Sequence, residues 1–181
     1  MLSWLSEPYI PLTVWMVSEV MEENIYAPVT DTEKEFARHS LHRACQRGSA
    51  FLGSEYAILG GAMSWLSERH LVSAISNAGG FGVIACGAMS PELLEAEILA
   101  TRAMTDRPFG VNLITMHPHL SELVDVCLKN SVGHIVLAGG IPPAAAIKAA
   151  KDGGAKVIAF APALVLAKRL IKMGVDALII E

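Results

Sequence analysis

The residues able to do chemistry in this chain stand at the ends of short apolar runs. Gly60 and Gly61 follow one run, Gly87 a second, Asn112 a third, and Gly139 with Gly140 a fourth. Glycine leaves the backbone N–H and C=O groups open to close approach, and an asparagine amide can both donate and accept. The chemistry to expect is ligand binding by backbone and amide groups at several strand ends. The histidines carry less. His117 and His119 flank Pro118 just after the third run and are paired here with no acidic residue, so a loop role is expected rather than a metal site. His134 begins the next run, at the opposite end, and His70 falls in a helix. Cys45, Cys86 and Cys127 lie far apart, without C-x-x-C or Cys/His metal spacing, and read as reduced core thiols of a cytoplasmic protein.

The elements that position these residues alternate from Glu55 onward. Strands are predicted at 56–59, 82–86, 109–114, 134–137, 156–160 and 177–180, with helices at 68–78, 91–104, 120–130, 143–151 and 163–173 between them. Ser90 caps the second of these helices, Pro91 takes its first position and Glu92 suits the helix dipole. Such alternation implies a parallel sheet with right-handed crossovers. A doubly wound sheet concentrates its ligand contacts at one switch point, whereas a barrel spreads them over many strand ends, as here. No G-x-G-x-x-G follows a strand; Gly79-Gly80-Phe81-Gly82 precedes one and reads as a helix stop and turn. The fold class expected is α/β, a partial TIM (β/α)8 barrel with about six of the eight strands. Its apolar edges would favour pairing with another chain unless covered.

Residues 1–53 lack this rhythm and read as an N-terminal helical extension of unknown role, set before barrel residues 54–181. Within it, Thr30 or Asp31 could cap a helix over 32–46, ended by Gly48, with a solvated charged face. Hydrophobic residues make up 52% of the chain and the mean hydropathy is +0.44. Buried parallel strands account for that excess, and no apolar run reaches the roughly 18 residues of a membrane span. The formal net charge is −4 and no Lys/Arg cluster exists, which argues against nucleic acid.

Several motifs, in order, resemble the nitronate monooxygenase (2-nitropropane dioxygenase) family, which includes FMN-dependent enoyl-acyl-carrier-protein reductases. They are Leu59-Gly60-Gly61-Ala62-Met63-Ser64-Trp65-Leu66-Ser67, Ala74-Ile75-Ser76-Asn77-Ala78-Gly79-Gly80-Phe81-Gly82-Val83-Ile84 and Thr105-Asp106-Arg107-Pro108-Phe109-Gly110-Val111-Asn112-Leu113. Lys156-Val157-Ile158-Ala159-Phe160-Ala161-Pro162 and the run from Ala167 to Glu181 complete the set, so the likeness covers about residues 55–181. It implies an FMN-binding barrel, with Gly61, Ala62, Met63 and Ser64 laid against the isoalloxazine, Asn112 at its pyrimidine edge, and Glu181 contacting the cofactor or orienting the next loop.

The sequence departs from the family pattern at Gly60, often Gln; at Ala62, often Gly; and at Gly139-Gly140-Ile141-Pro142, where Gly-Asn-Pro is common. The family's catalytic histidine segment and phosphate-binding loops would follow Glu181. No catalytic residue is therefore assigned, and this chain alone is expected to bind FMN weakly, because phosphate capture by backbone amides is a main anchor. The activity implied is oxidation of an alkyl nitronate with oxygen to a carbonyl compound and nitrite, acting on a small-molecule substrate. Alternatives are reduction of an enoyl thioester, a non-catalytic fragment that folds only with a partner, and, third, a flavin-free phosphate-binding barrel. A homo-oligomer is compatible with all of them.

Overall fold

The computed structural model describes residues 29–180. Two compact units make up the chain, Met1–Leu41 and His42–Glu181. Of the first, the described part is the start of helix α1 (Asp31–Leu52). Thr30 and Glu33 form a capping box there: the Glu33 amide donates to Thr30 Oγ1 at 3.3 Å, and the Thr30 amide returns a bond to Glu33 Oε2 at 2.9 Å. These bonds hold the Glu33 carboxyl below the usual carboxylate range. The helix does not stop at Gly48. It runs on to Leu52, and Gly53, at φ 74°, takes the left-handed turn that ends it.

The second unit is a β/α succession. Its elements are α2 (Arg69–Asn77), β1 (Gly82–Ala85), α3 (Pro91–Arg102), β2 (Phe109–Ile114), α4 (Leu120–Lys129), β3 (His134–Ala138), α5 (Ala144–Asp152), β4 (Lys156–Phe160), α6 (Leu164–Lys172) and β5 (Ala177–Ile179). Every neighbouring pair is parallel, in the order β1-β2-β3-β4-β5. That monotonic order separates a barrel arc from a doubly wound sheet, whose order reverses at a switch point. The sequence anticipated about six strands. The first, at 56–59, is reduced to a single parallel bridge, Leu59 with Phe81, flanked by bonds from Tyr56 N to Gly79 O and from Gly60 N to Phe81 O. Two flanking glycines and a following turn leave too little extended backbone there for a ladder.

Alternation along the strands sorts two cores. Ile84, Val111, Leu113, Ile135, Leu137, Val157 and Ala159 face the helices and pack with Leu94, Ile98, Leu123 and Ile147. Phe81, Val83, Val136 and Ile158 face the other way, into the arc, where Leu52 of α1 joins them. The end of α1 thus closes the N-terminal mouth of the arc. One position shows how tight the helix layer is. A Cβ on Gly82 would lie 2.4 Å from the Val72 carbonyl oxygen, so only glycine lets α2 sit this close to β1. Cys86 and Cys127 are buried in the helix-side core; burial pushes their thiols up to about 11 and about 12. Among the described residues no helix is long and apolar enough to cross a membrane.

Candidate functional site

The C-terminal ends of the strands gather the residues that the sequence singled out. The turn after the 59–81 bridge is tied down by one serine. Ser67 Oγ donates to the Gly61 carbonyl and accepts from the Met63 amide, each at 2.9 Å. The Ser67 carbonyl in turn accepts from the Ala85 amide at 2.9 Å. The whole turn therefore rides on the C-terminal end of β1. Ala85 is the register partner of Asn112 on β2, and the Cys86 amide donates to the Asn112 carbonyl at 3.1 Å. Met63 and Asn112 lie at the same end of the sheet, one strand apart.

Asn112 is the anomaly of its strand. It alternates with Val111 and Leu113, so its amide points into the arc, level with Ala85 and Val136. It is 6% exposed, yet its side chain makes no hydrogen bond among the described residues. No fully enclosed side-chain polar atom is without a partner there, so the Asn112 amide opens onto accessible space. An amide in that position can donate to and accept from whatever enters the open mouth. Around it the backbone is bare. A Cβ placed on Gly61 would meet nothing within 4 Å, and Ala62 packs against the inner core. Gly87, Gly139 and Gly140 all have positive φ.

Two clefts open among the described residues of the rim loops. One, of about 460 Å³, lies between the 64–69 turn and the β1–α3 loop, lined by Ser64, Trp65, Arg69, Cys86, Met89 and Glu97 among others. Its base is an ion pair: buried Glu97 takes the Arg69 amide, Nε and Nη2, which raises the Arg69 pKa. Trp65 stands at its lip, 91% exposed and at φ 67°, a conformation rarely held by a bulky residue without a functional reason. The other cleft, about 330 Å³, runs beside Gly139, Gly140, Phe160 and Pro162. Two features escaped the sequence. Thr115, one residue past β2 and only 9% exposed, places its Oγ1 3.4 Å from where a Gly140 Cβ would stand. Counting three residues on from Asn112 would have flagged it. His119, read above as lacking an acidic partner, pairs its Nδ1 with Glu122 Oε1 at 2.9 Å, because α4 begins at once and brings residue 122 round one turn. Among the described residues no group of three ligating side chains exists. Glu181 lies outside the described residues.

Comparison with known proteins follows this geometry. Residues 46–123 match the family model described as nitronate monooxygenase. A (3aS,4S,5R,7aS)-5-hydroxy-7a-methyl-1-oxo-octahydro-1H-indene-4-carboxyl-CoA dehydrogenase of Mycobacterium tuberculosis is 32% identical over 130 residues, which is 72% of this chain and 36% of that protein. A nitronate monooxygenase of Paraburkholderia phytofirmans is 33% identical over 95 residues, 51% of this chain and 26% of its own length. The solved structure of FabK from Thermotoga maritima superposes with a TM-score of 0.70 at 38% identity, covering 73% of this chain and 42% of that one. The chain thus spans little more than a third of the first curated relative it matches.

Proposed function

Since this chain belongs to the nitronate monooxygenase family, whose model its residues 46–123 match, we propose that it holds the isoalloxazine half of an FMN site in a flavin-dependent oxidoreductase. The observation that carries the reading is the Asn112 amide, buried without a hydrogen-bond partner among the described residues, at the strand end to which Ser67 fastens the 61–67 turn. The residues present fit the ring. Gly61 offers backbone where an added Cβ would meet nothing within 4 Å, Ala62 beside it is small, and Asn112 can donate and accept at a pyrimidine edge.

The flavin, when bound, supplies the electron exchange. This chain's own residues bind and orient. Gly61, Ala62, Met63 and Ser64 would hold the ring through the turn that Ser67 ties down, and Asn112 would bind it through its amide. Glu181 is assigned a contact to the cofactor or to the loop beyond it. The substrate proposed is a small alkyl nitronate, oxidised with oxygen to a carbonyl compound and nitrite, in a cytoplasmic enzyme. A second reading has one observation in its favour. The relative at 32% identity is named for a carboxyl-CoA substrate, which supports redox chemistry on a thioester, such as reduction of an enoyl thioester.

Quenching of FMN fluorescence on titration with the chain tests the assignment. Saturable quenching is expected, and Asn112→Leu should weaken it about tenfold, the equivalent of one good hydrogen bond. Equal binding by the variant, with its fold intact by circular dichroism, would remove Asn112 from the site. Nitrite release from propyl-2-nitronate against oxidation of a nicotinamide donor with an enoyl thioester separates the two substrates.

A further inference from the structure

The opposite end of the arc holds an ionisable group for which the flavin site has no use. His134 opens β3 and is 6% exposed. Its Nε2 donates to the Phe51 carbonyl at 2.8 Å, and Lys156 Nζ donates to the same oxygen. The imidazole stands edge-on to Phe51 and to Phe81, with centroids 5.3 Å and 4.9 Å away. Lys156 Nζ lies 4.8 Å from the Phe51 ring centre. Phe51 belongs to the last turn of α1, and Leu52 beside it inserts among Phe81, Val83, Val136 and Ile158. One carbonyl, two donors and two rings form a latch that seats the end of α1 on the floor of the arc.

We infer that this latch is a pH-sensitive device, in which protonation of His134 releases residues 49–53 from the floor and opens the interior of the arc from its N-terminal side. A carbonyl can only accept, so neutral His134 carries its proton on Nε2 and leaves Nδ1 bare. A second proton, on Nδ1, would create a full cation between two phenyl rings and next to the Lys156 ammonium. Burial holds the His134 pKa below the ordinary histidine value, with Lys156 adding to the effect against the Phe51 carbonyl and Asp176. Asp176 is already committed: its carboxylate serves Lys151 and the Val157 amide. The charges facing His134 are therefore Lys156 on β4, Asp176 before β5 and the negative end of the α1 dipole; the β1 side presents only Phe81.

The sign follows from linkage. A histidine whose pKa is depressed in the seated state takes up protons more readily once released. The seated state is fully favoured above the ordinary histidine pKa of about 6.5, and its advantage is lost as pH falls from there through the depressed value. Beyond the latch, the buried Leu52 side chain holds the segment through apolar packing. Ser49 Oγ donates to the Glu55 carbonyl at 3.1 Å, and Gly48 lies against Ala57.

Amide hydrogen exchange at residues 49–53 tests the device, read as protection factors so that the intrinsic pH dependence of exchange cancels. Protection should fall severalfold between about pH 7.5 and about pH 5, while β2 and β3 amides keep theirs. His134→Gln retains a donor for Phe51 and cannot titrate, so the fall should vanish. Constant protection in the native chain, or the same fall in the variant, overturns the inference. Should the variant not fold, the imidazole NMR titration of His134 in the native chain decides: a midpoint below the ordinary value supports the latch, and one at or above it refutes it.

Discussion

At the N-terminal end of the strands, His134 and Lys156 converge on one carbonyl, aromatic rings fill the gaps and Leu52 stops the opening. At the C-terminal end, glycines of positive φ surround an amide with no partner among the described residues, and Trp65 and Met63 face solvent. The same five strands supply both ends, so the difference lies in the side chains and loops and not in the sheet. In β/α barrels the floor is where residues serve stability and the rim is where they serve ligands. The contrast teaches how to sort this chain's residues: a polar group that is buried and paired holds the fold, and the one buried without a partner among the described residues is the group to which the proposed function gives the ligand.

Substitutions at the two ends should therefore fail in different currencies. The largest loss of stability is expected from Phe81→Ala at the floor. Its side chain is 0% exposed, and its removal should cost about 3–5 kcal/mol in urea unfolding. Gly82→Ala comes next, about 1–3 kcal/mol, because the new methyl must force the Val72 carbonyl away. Lys156→Met removes one of two donors to the Phe51 carbonyl and should cost about 0.5–1.5 kcal/mol. The smallest effect on stability belongs to Asn112→Leu at the rim, within about 0.5 kcal/mol of the native chain, although it should lose most of its FMN affinity. A rim variant as damaging to stability as Phe81→Ala would break the comparison. Stability itself should decline with acidification below about pH 6.5, because the released form binds the proton that seated His134 resists.

Much of this contrast was legible in the sequence. Ser90 followed by Pro91 fixed the start of α3, since a capping hydroxyl and a ring that needs no amide partner can hardly serve elsewhere. β2 and β4 fell at the expected residues because both are short runs dominated by apolar side chains between polar turns. The rim glycines announced themselves by type. The floor did not. Nothing local says that a helix of mostly exposed residues ends in Phe51 and Leu52, or that Phe51 meets His134 and Lys156, 83 and 105 residues further on, at the floor of the arc. Gly48 was read as a stop because glycine usually is one. Here its missing Cβ serves a close approach to Ala57 inside a helix that continues. The strand expected at 56–59 shrinks to one bridge for a related reason: hydrophobic pattern reports burial, while a ladder also needs backbone length that the Gly60-Gly61 turn takes away. The unpaired state of Asn112 is likewise invisible in one dimension, since it depends on what β1 and β3 place beside it.

An amide-resolved NMR titration of the chain with FMN tests the central assignment most directly, because both ends of the arc report in one spectrum. The account predicts shifts at Gly61, Met63, Ser64 and the Asn112 side-chain amide, with His134 and Lys156 at the floor unmoved. Shifts concentrated at the floor, or none at any rim residue at saturating flavin, would contradict it.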